Sequence, residues 1–445
     1  MMTLKLLLEF AVVIAAILMG SRFGGVGLGL WGGAGVLVLT YAFGLPPTAP
    51  PIDVMLIILA VIMATSVMEA AGGIDWLVRV AEGLIRRNPK RITIVAPVVS
   101  WLFTLGAGTG HVFYPLLPVI HEVAHENGIR PERPIAVSTI ASQQAITASP
   151  VSAATAAMIA LFEPAGIKLF HIIAIAIPAT LAGVIVAALV QTRVGKELSD
   201  DPEYQRRLKA GEIEPPRASK ATAERKELPG TARTSALMFL FGVALVVAAG
   251  LFPVLRPEIL KSGKAVPLDM ATTIQIVMLS MAALILAVTR VPAGNVPKTA
   301  SSQAGVTAVV GIFGLAWLGD TFIKANEMLI IGRIGDLTAA HPVVFAVGLF
   351  FASVLLFSQA ATTRALMPLG ISLGLPPGTL IASWPAVNGY FFLPTYGTII
   401  AAINFDRSGT TRIGRFVLNH SFMLPGLVAT CTAVAVGLLI GKLLF

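Results

Sequence analysis

Four stretches of this sequence, residues 54–71, 172–190, 235–251 and 416–440, are predominantly apolar from end to end. A helix needs about 20 such residues to cross about 30 Å of hydrocarbon. No water is present there to satisfy the backbone, so a helix with internally closed hydrogen bonds is the spanning solution. The alternating pattern of a membrane β-barrel is absent. Composition agrees: 56% of the 445 residues are apolar and 12% are charged. A soluble domain carries about 25% charged residues, so this chain has too few to coat a water-facing surface. The sequence predicts an all-α polytopic membrane protein.

The net charge of +9 would point to nucleic acid in a soluble protein. In a membrane protein it reads as the bias of cytoplasmic loops, and no nucleic-acid partner is expected. The single cysteine, Cys431, lies in a predicted span and excludes an intrachain disulfide. Residues 4–18 have the length of a signal-peptide core, but Gly20-Ser21-Arg22-Phe23 offers no small-x-small cleavage site. This segment is expected to be a retained first span.

Residues 193–233 break the apolar texture with ten Lys/Arg, eight Asp/Glu and several prolines, which reads as a solvated cytoplasmic linker. It separates residues 1–192 from residues 234–445, and a repeat links the two parts. Leu117-Pro118, Gly128-Ile129-Arg130-Pro131 and Ser149-Pro150-Val151-Ser152 recur in order as Met367-Pro368, Gly374-Leu375-Pro376-Pro377 and Leu393-Pro394-Thr395-Tyr396. Each part is expected to hold three spans, an amphipathic segment, a re-entrant hairpin (93–123 and 342–373), a broken span (135–161 and 379–403) and a last span (168–192 and 416–441). Five full crossings per part force the two into opposite orientations, the inverted repeat of many secondary transporters. With the N-terminus outside, 23 Lys/Arg fall on inside segments and 8 on outside ones. That bias places both termini outside.

Inverted-repeat carriers bind substrate where helices are interrupted and N-terminal N–H groups point at anions. This chain offers four interruptions: the hairpin tips at 106–111 and 358–364, and the breaks at 147–152 and 388–395. In each break a hydroxyl residue sits near a proline, which frees a carbonyl while Ser or Thr caps the half-helix that follows. Matched breaks beside matched polar tips favour binding over simple kinking. One end of an anionic ligand is expected at Thr109, Gly110, Ser149 and Ser152, with His111 and Pro150 in the same segments. The other is expected at Ser358, Gln359, Thr362, Thr363, Asn388, Pro394 and Thr395. Arg364 adds a charge at membrane depth that costs a few kcal/mol to place there, and its fork suits a carboxylate. The alternative for Arg364 is snorkelling or capping the hairpin.

His121-Glu122-Val123-Ala124-His125 fits the HExxH pattern of zinc proteases. This makes an intramembrane metalloprotease the alternative from another class. No third ligand is evident, since the nearest candidate, Asp269, falls on the other predicted side. Gly27-Leu28-Gly29-Leu30-Trp31-Gly32 fits GxGxxG but sits in a span with no βαβ context, so helix packing is the better account. His171 and His420 read as packing histidines, His111 as a proton site or a local cap, and Glu69 stays undecided. No cofactor, metal or catalytic residue is expected.

Several stretches resemble the anaerobic C4-dicarboxylate carriers called Dcu: Gly108-Thr109-Gly110-His111, 128–134, 147–152, Ser358-Gln359-Ala360-Ala361, Leu393-Pro394-Thr395-Tyr396, 405–411, and Asn419-His420-Ser421-Phe422 with Pro425-Gly426-Leu427. The likeness covers essentially the whole chain. It implies bacterial inner-membrane antiport or proton-linked uptake of fumarate, malate, aspartate and succinate, with those substrates and membrane lipid as partners. It further implies kinship with dimeric, elevator-type anion carriers. Some members carry Pro-Ser-Asp after the Leu-Pro-Thr-Tyr motif, where this chain has Gly397-Thr398-Ile399. The regulatory role that such members play beside a sensor kinase is therefore not carried over.

Overall fold

The computed structural model describes residues 2–23, 26–50, 52–213, 228–261, 264–340, 342–356, 358–394, 396–414 and 418–445. In the first half, α1 (Met2–Phe23), α2 (Gly27–Tyr41) and α3 (Ile52–Ala70) are followed by α4 (Gly73–Arg87). Gly72, at φ +82°, supplies the left-handed residue that ends α3, and α4 leaves at 75°. One face of α4 buries Ile74, Leu77, Ala81 and Ile85, and Arg86 and Arg87 occupy its last turn, where the helix dipole favours cations. A helical hairpin follows, α5 (Ile92–Ala107) and α6 (Leu116–Glu126), then the broken pair α7 (Glu132–Ala148) and α8 (Ala153–Phe162), then α9 (Leu169–Gln191). The break has a local cause. Pro150 disfavours the helical conformation at Ser149, which is extended at ψ 126°. The helix restarts where the Ser152 hydroxyl accepts the Thr155 N–H at 3.1 Å.

The second half contains α11 (Ala232–Leu251), α12 (Met270–Thr289), α13 (Ala300–Ala340) and the hairpin α14 (Pro342–Leu356) and α15 (Gln359–Ser372). It continues with α16 (Pro377–Ser383), a 3-10 segment Trp384–Phe391, α17 (Gly397–Phe405) and α18 (Met423–Leu444). Hairpin, interrupted span and long helix thus recur in the same order in both halves. The symmetry is not complete, since α13 runs unbroken where the first half bends at Gly72.

Two features depart from the sequence reading. A two-stranded antiparallel ribbon, β1 (Glu258–Lys261) with β2 (Lys264–Pro267), lies between α11 and α12, so the chain is not wholly helical. The stretch read as a solvated linker contains α10 (Pro202–Lys209), capped by the Asp201 carboxylate, and residues up to 213 are docked on the protein. Leu198, Tyr204 and Ile213 pack together. Arg130 pairs with Asp201 and Arg133 with Glu197. Two of the linker's acids thus fasten it to the start of α7, while most of its other described charges face out.

Among the described residues, seven helices are long and apolar enough to cross a membrane, and the bent pair Met55–Ala70 with Gly73–Arg87 adds an eighth if it is one span. Large apolar side chains such as Leu189, Phe241, Ile276 and Leu439 lie exposed on them, as a lipid-facing surface requires. The chain is a multi-pass membrane protein. Close packing relies on glycine. A Cβ on Gly29 would lie 1.9 Å from the Val310 carbonyl oxygen, and one on Gly32 would lie 2.4 Å from the Gly314 carbonyl carbon. The GxGxxG run is therefore the contact surface of α2 on α13. Gly183 plays the same part where α9 meets Ala429 of α18. Glu69 caps α13, accepting the Ala300 and Ser301 N–H groups at 3.0 and 2.9 Å.

Candidate functional site

The first hairpin tip is shaped by Gly108, at φ +71°, whose N–H bonds the Thr104 carbonyl and closes α5. A Cβ there would lie 2.8 Å from the Val151 carbonyl oxygen, so the tip is pressed against the first break. The second tip begins α15, with Ser358 as N-cap accepting the Ala361 N–H at 3.2 Å. Helices α8 and α15 pack against each other. Their N-termini open on one cavity of about 200 Å³.

Three of the four interruptions contribute to its wall, through Thr109 and Gly110, Ser152, and Ser358 with Gln359, while the chain just after the fourth adds Tyr396 and Thr398 at the start of α17. Thr65 of α3 and Ser301 of α13 complete it. Among the described residues, no lining side chain carries a formal charge. Beyond the capped N–H groups, those of Ala153 and Ala154 in α8 and of Gln359 and Ala360 in α15 have no intrahelical acceptor. Two positive helix ends therefore converge on a neutral chamber. The Ser301 and Thr398 hydroxyls, both buried, meet no hydrogen-bond partner among the described residues.

The other expected positions stand behind this wall. Ser149 is fully buried, and its hydroxyl accepts the Val151 N–H at 3.4 Å. Pro150 forms the turn beside it. The Thr362 and Thr363 hydroxyls donate to the carbonyls of Ser358 and Gln359, at 2.8 and 2.7 Å, and Trp384 Nε1 donates to Thr363 Oγ1. Asn388, at the kink of the 3-10 segment, accepts from Gln359 Nε2 at 3.2 Å. Pro394 is buried outside the lining. Arg364 is likewise outside it, with Nη2 3.3 Å from Asp320 Oδ2 of α13. The His111 side chain and Thr395 lie outside the described residues.

Sequence reading missed Gln143 and Gln144 on α7, both buried. Gln359 Nε2 donates to Gln143 Oε1 at 3.0 Å, and Asn388 Nδ2 donates to Gln144 Oε1 at 3.2 Å, joining the halves. The signal was available, because Ser142-Gln143-Gln144 is a polar run inside a span, where unsatisfied amides are costly. Tyr114, Thr65, Ser301 and Thr398 line the cavity without any comparable mark in the sequence.

The HExxH residues are engaged elsewhere. His121 Nδ1 lies 3.3 Å from Asp406 Oδ1, Glu122 pairs with Arg86 at 3.0 Å, and His125 Nε2 meets the Tyr204 hydroxyl at 2.7 Å. Among the described residues no three His, Cys, Asp or Glu side chains converge as metal ligands would. The protease alternative finds no support.

The fold and the relatives agree with a carrier. The crystal structure of the YdaH transporter from Alcanivorax borkumensis superposes with a TM-score of 0.56, covering 92% of this chain and 88% of that one. At 15% identity this likeness concerns the fold alone. The C4-dicarboxylate transporter DcuA of Escherichia coli is 43% identical over 98% of this chain and 99% of its own length. DcuA of Wolinella succinogenes is also 43% identical, over 99% of this chain and all of its own. The anaerobic C4-dicarboxylate transporter DcuB of Escherichia coli is 39% identical over 97% of each. These relatives are transporters, not enzymes. The model of the anaerobic C4-dicarboxylate membrane transporters matches residues 5–445, and the chain belongs to that family.

Proposed function

We propose that the protein carries four-carbon dicarboxylates, namely fumarate, malate, aspartate and succinate, across a bacterial inner membrane by exchange or proton-coupled uptake. The observation that carries this reading is the convergence of the α8 and α15 N-termini on one uncharged cavity. Such a dianion has two charged ends about 5–6 Å apart by bond geometry. One end meets the α8 terminus with Thr109, Gly110 and Ser152. The other meets the α15 terminus with Ser358 and the backbone N–H of Gln359. Backbone N–H groups and hydroxyls hold a carboxylate without salt-bridging it, which keeps release fast. Ser149, Thr362, Thr363 and Asn388 act by holding that wall in place, and Arg364 by anchoring α15 to α13.

The recurring order of hairpin and interrupted span supports two inverted repeats, and the arrangement of tips around one site supports alternating access of the elevator kind. Both termini then face the periplasm and the charged linker faces the cytoplasm, with a homodimer as the working unit. Counterflow in proteoliposomes tests the reading: vesicles preloaded with succinate take up labelled fumarate, with and without pH and sodium gradients. Vesicles that take up no dicarboxylate under any of these conditions overturn it. Cysteines introduced near Lys196 stay shielded from an impermeant external reagent, and labelling there reverses the orientation.

A further inference from the structure

Behind the cavity wall, buried amides form a hydrogen-bond chain whose direction is fixed. Asn388 Nδ2 lies 3.0 Å from the Pro385 carbonyl, a group that can only accept. The Asn388 nitrogen must therefore face Pro385, with Gln144 Oε1 and Thr147 Oγ1 as its other acceptors. Gln144 Nε2 in turn donates to Thr430 at 3.0 Å. Asn388 Oδ1 is left facing Gln359, so Gln359 presents its nitrogen, and that nitrogen donates to both Asn388 Oδ1 and Gln143 Oε1. Both Nε2 protons of Gln359 are thus used. Its Oε1 is turned away from the chain, Gln359 lines the cavity, and no described residue donates to that oxygen.

The two glutamines consequently offer opposite polarities. Gln143, its oxygen engaged, holds Nε2 against the first tip, 2.7 Å from where a Cβ of Gly110 would lie. Gln359 holds an acceptor beside the second helix terminus. Every other polar side chain that the described residues bring to the wall is a hydroxyl or the Gln143 amide, groups that carry a donor. The Thr65 and Ser152 protons are engaged by the Val61 carbonyl and Thr155 Oγ1, which leaves the Gln143 amide and the remaining hydroxyls to face a carboxylate. An amide oxygen cannot donate. It repels an ionised carboxylate and pays off only toward a ligand that brings a donor of its own.

We propose that Gln359 Oε1 is the specificity-determining acceptor for the amino or hydroxyl group on C2 of substituted four-carbon dicarboxylates. The inference rests on the cavity being the dicarboxylate site. Aspartate and malate carry such a donor. Fumarate and succinate do not, and leave that oxygen to water.

Two experiments test it, both on full-length protein in proteoliposomes whose wild type exchanges succinate. In the first, malate and 2-methylsuccinate, which matches its bulk without a donor, compete against labelled succinate. Malate is expected to bind at least tenfold more tightly, the loss typical of one missing hydrogen bond to a buried group. Equal competition overturns the proposal. In the second, Gln359→Met removes the acceptor at similar volume. Its affinity for aspartate and malate falls tenfold or more relative to that for fumarate and succinate. Gln359→Glu keeps an acceptor and adds charge, so aspartate, with its ammonium, gains on malate. The ratios exclude general damage to the wall, since a purely structural role lowers all four substrates together, and that outcome overturns the proposal. A wild type that transports no dicarboxylate, by exchange or down a proton gradient, refutes the proposed function itself, which the succinate control reveals first.

Discussion

Arg364 and Asp320 meet at 3.3 Å and tie α15, which begins at the second tip, to the long helix α13. Their side chains are 12% and 19% exposed. An arginine at this depth is costly alone, and a partner carboxylate offsets much of that cost. The sequence singled out the arginine and overlooked the aspartate, 44 residues earlier, because nothing local links them. The pair means that Arg364 is not a lone cation.

Single substitutions are therefore expected to hurt more than the double one. Arg364→Ala leaves a carboxylate, and Asp320→Ala a guanidinium, without its partner. Breaking a partly buried pair from one side leaves an uncompensated charge, while removing both partners costs much less. Thermal unfolding in detergent and initial exchange rates should both show partial recovery in Arg364→Ala/Asp320→Ala. A double variant as impaired as Arg364→Ala alone would return the arginine to direct contact with substrate.

The two capping serines separate stability from affinity. Replacing an N-cap Ser with Ala costs about 1 kcal/mol, and with Gly only a few tenths. Ser152→Ala and Ser358→Ala should lower the unfolding midpoint more than the glycine variants do. All four lose the same hydroxyl from the wall, so all four should weaken dicarboxylate affinity to a similar extent. Affinity that tracks the midpoint instead would make these serines caps and nothing more.

Glycine at the first tip has two separable roles. Gly108 and Gly166 both adopt positive φ, at +71° and +78°. A Cβ on Gly166 meets nothing within 4 Å, whereas one on Gly108 meets the Val151 backbone. Gly166→Ala carries only the strain of its backbone conformation, about 1 kcal/mol, and should keep exchange activity. Gly108→Ala adds the clash and forces tip and break apart, so exchange should be lost. Equal activity of the two variants would detach this contact from transport.

What the sequence revealed follows from the range of each signal. Apolar length, the Pro150 break and the Ser152 cap are local, and the structure has them where the motifs lie. The placement of Ser149, Thr362 and Thr363 behind the wall depends on side-chain direction within a turn, which residue type does not encode. Thr398 and Ser301 enter the site only because α17 and α13 pack there. The contacts that hold part of the linker against the protein were illegible for a related reason: ion pairs such as Arg130 with Asp201 join residues 71 positions apart.

The last prediction concerns Asp406, where His121 of the first half meets the second. Its carboxylate is buried and accepts the Ser408 and Thr411 N–H groups at 2.9 and 2.6 Å and the Thr410 hydroxyl at 2.9 Å. Burial alone would push its pKa up. The contacts with His121, Ser408 and Thr411 outweigh that and hold it well below the usual carboxylate range. A depressed folded-state value stabilises the protein above the unfolded pKa of about 3.9, and this contribution is lost as pH falls below it. The wild type should therefore lose stability progressively below about pH 4. Asp406→Asn should be less stable at pH 7 and decline less steeply in acid, so the two curves converge. His121→Ala should also destabilise at pH 7 by removing one of the contacts. Glu122→Gln should not, because the Glu122–Arg86 pair is exposed and worth at most about 1 kcal/mol. Unfolding midpoints across pH in detergent measure all four proteins. Parallel curves for wild type and Asp406→Asn would mean that Asp406 folds already protonated, and the junction would then be held by its hydroxyls rather than by charge.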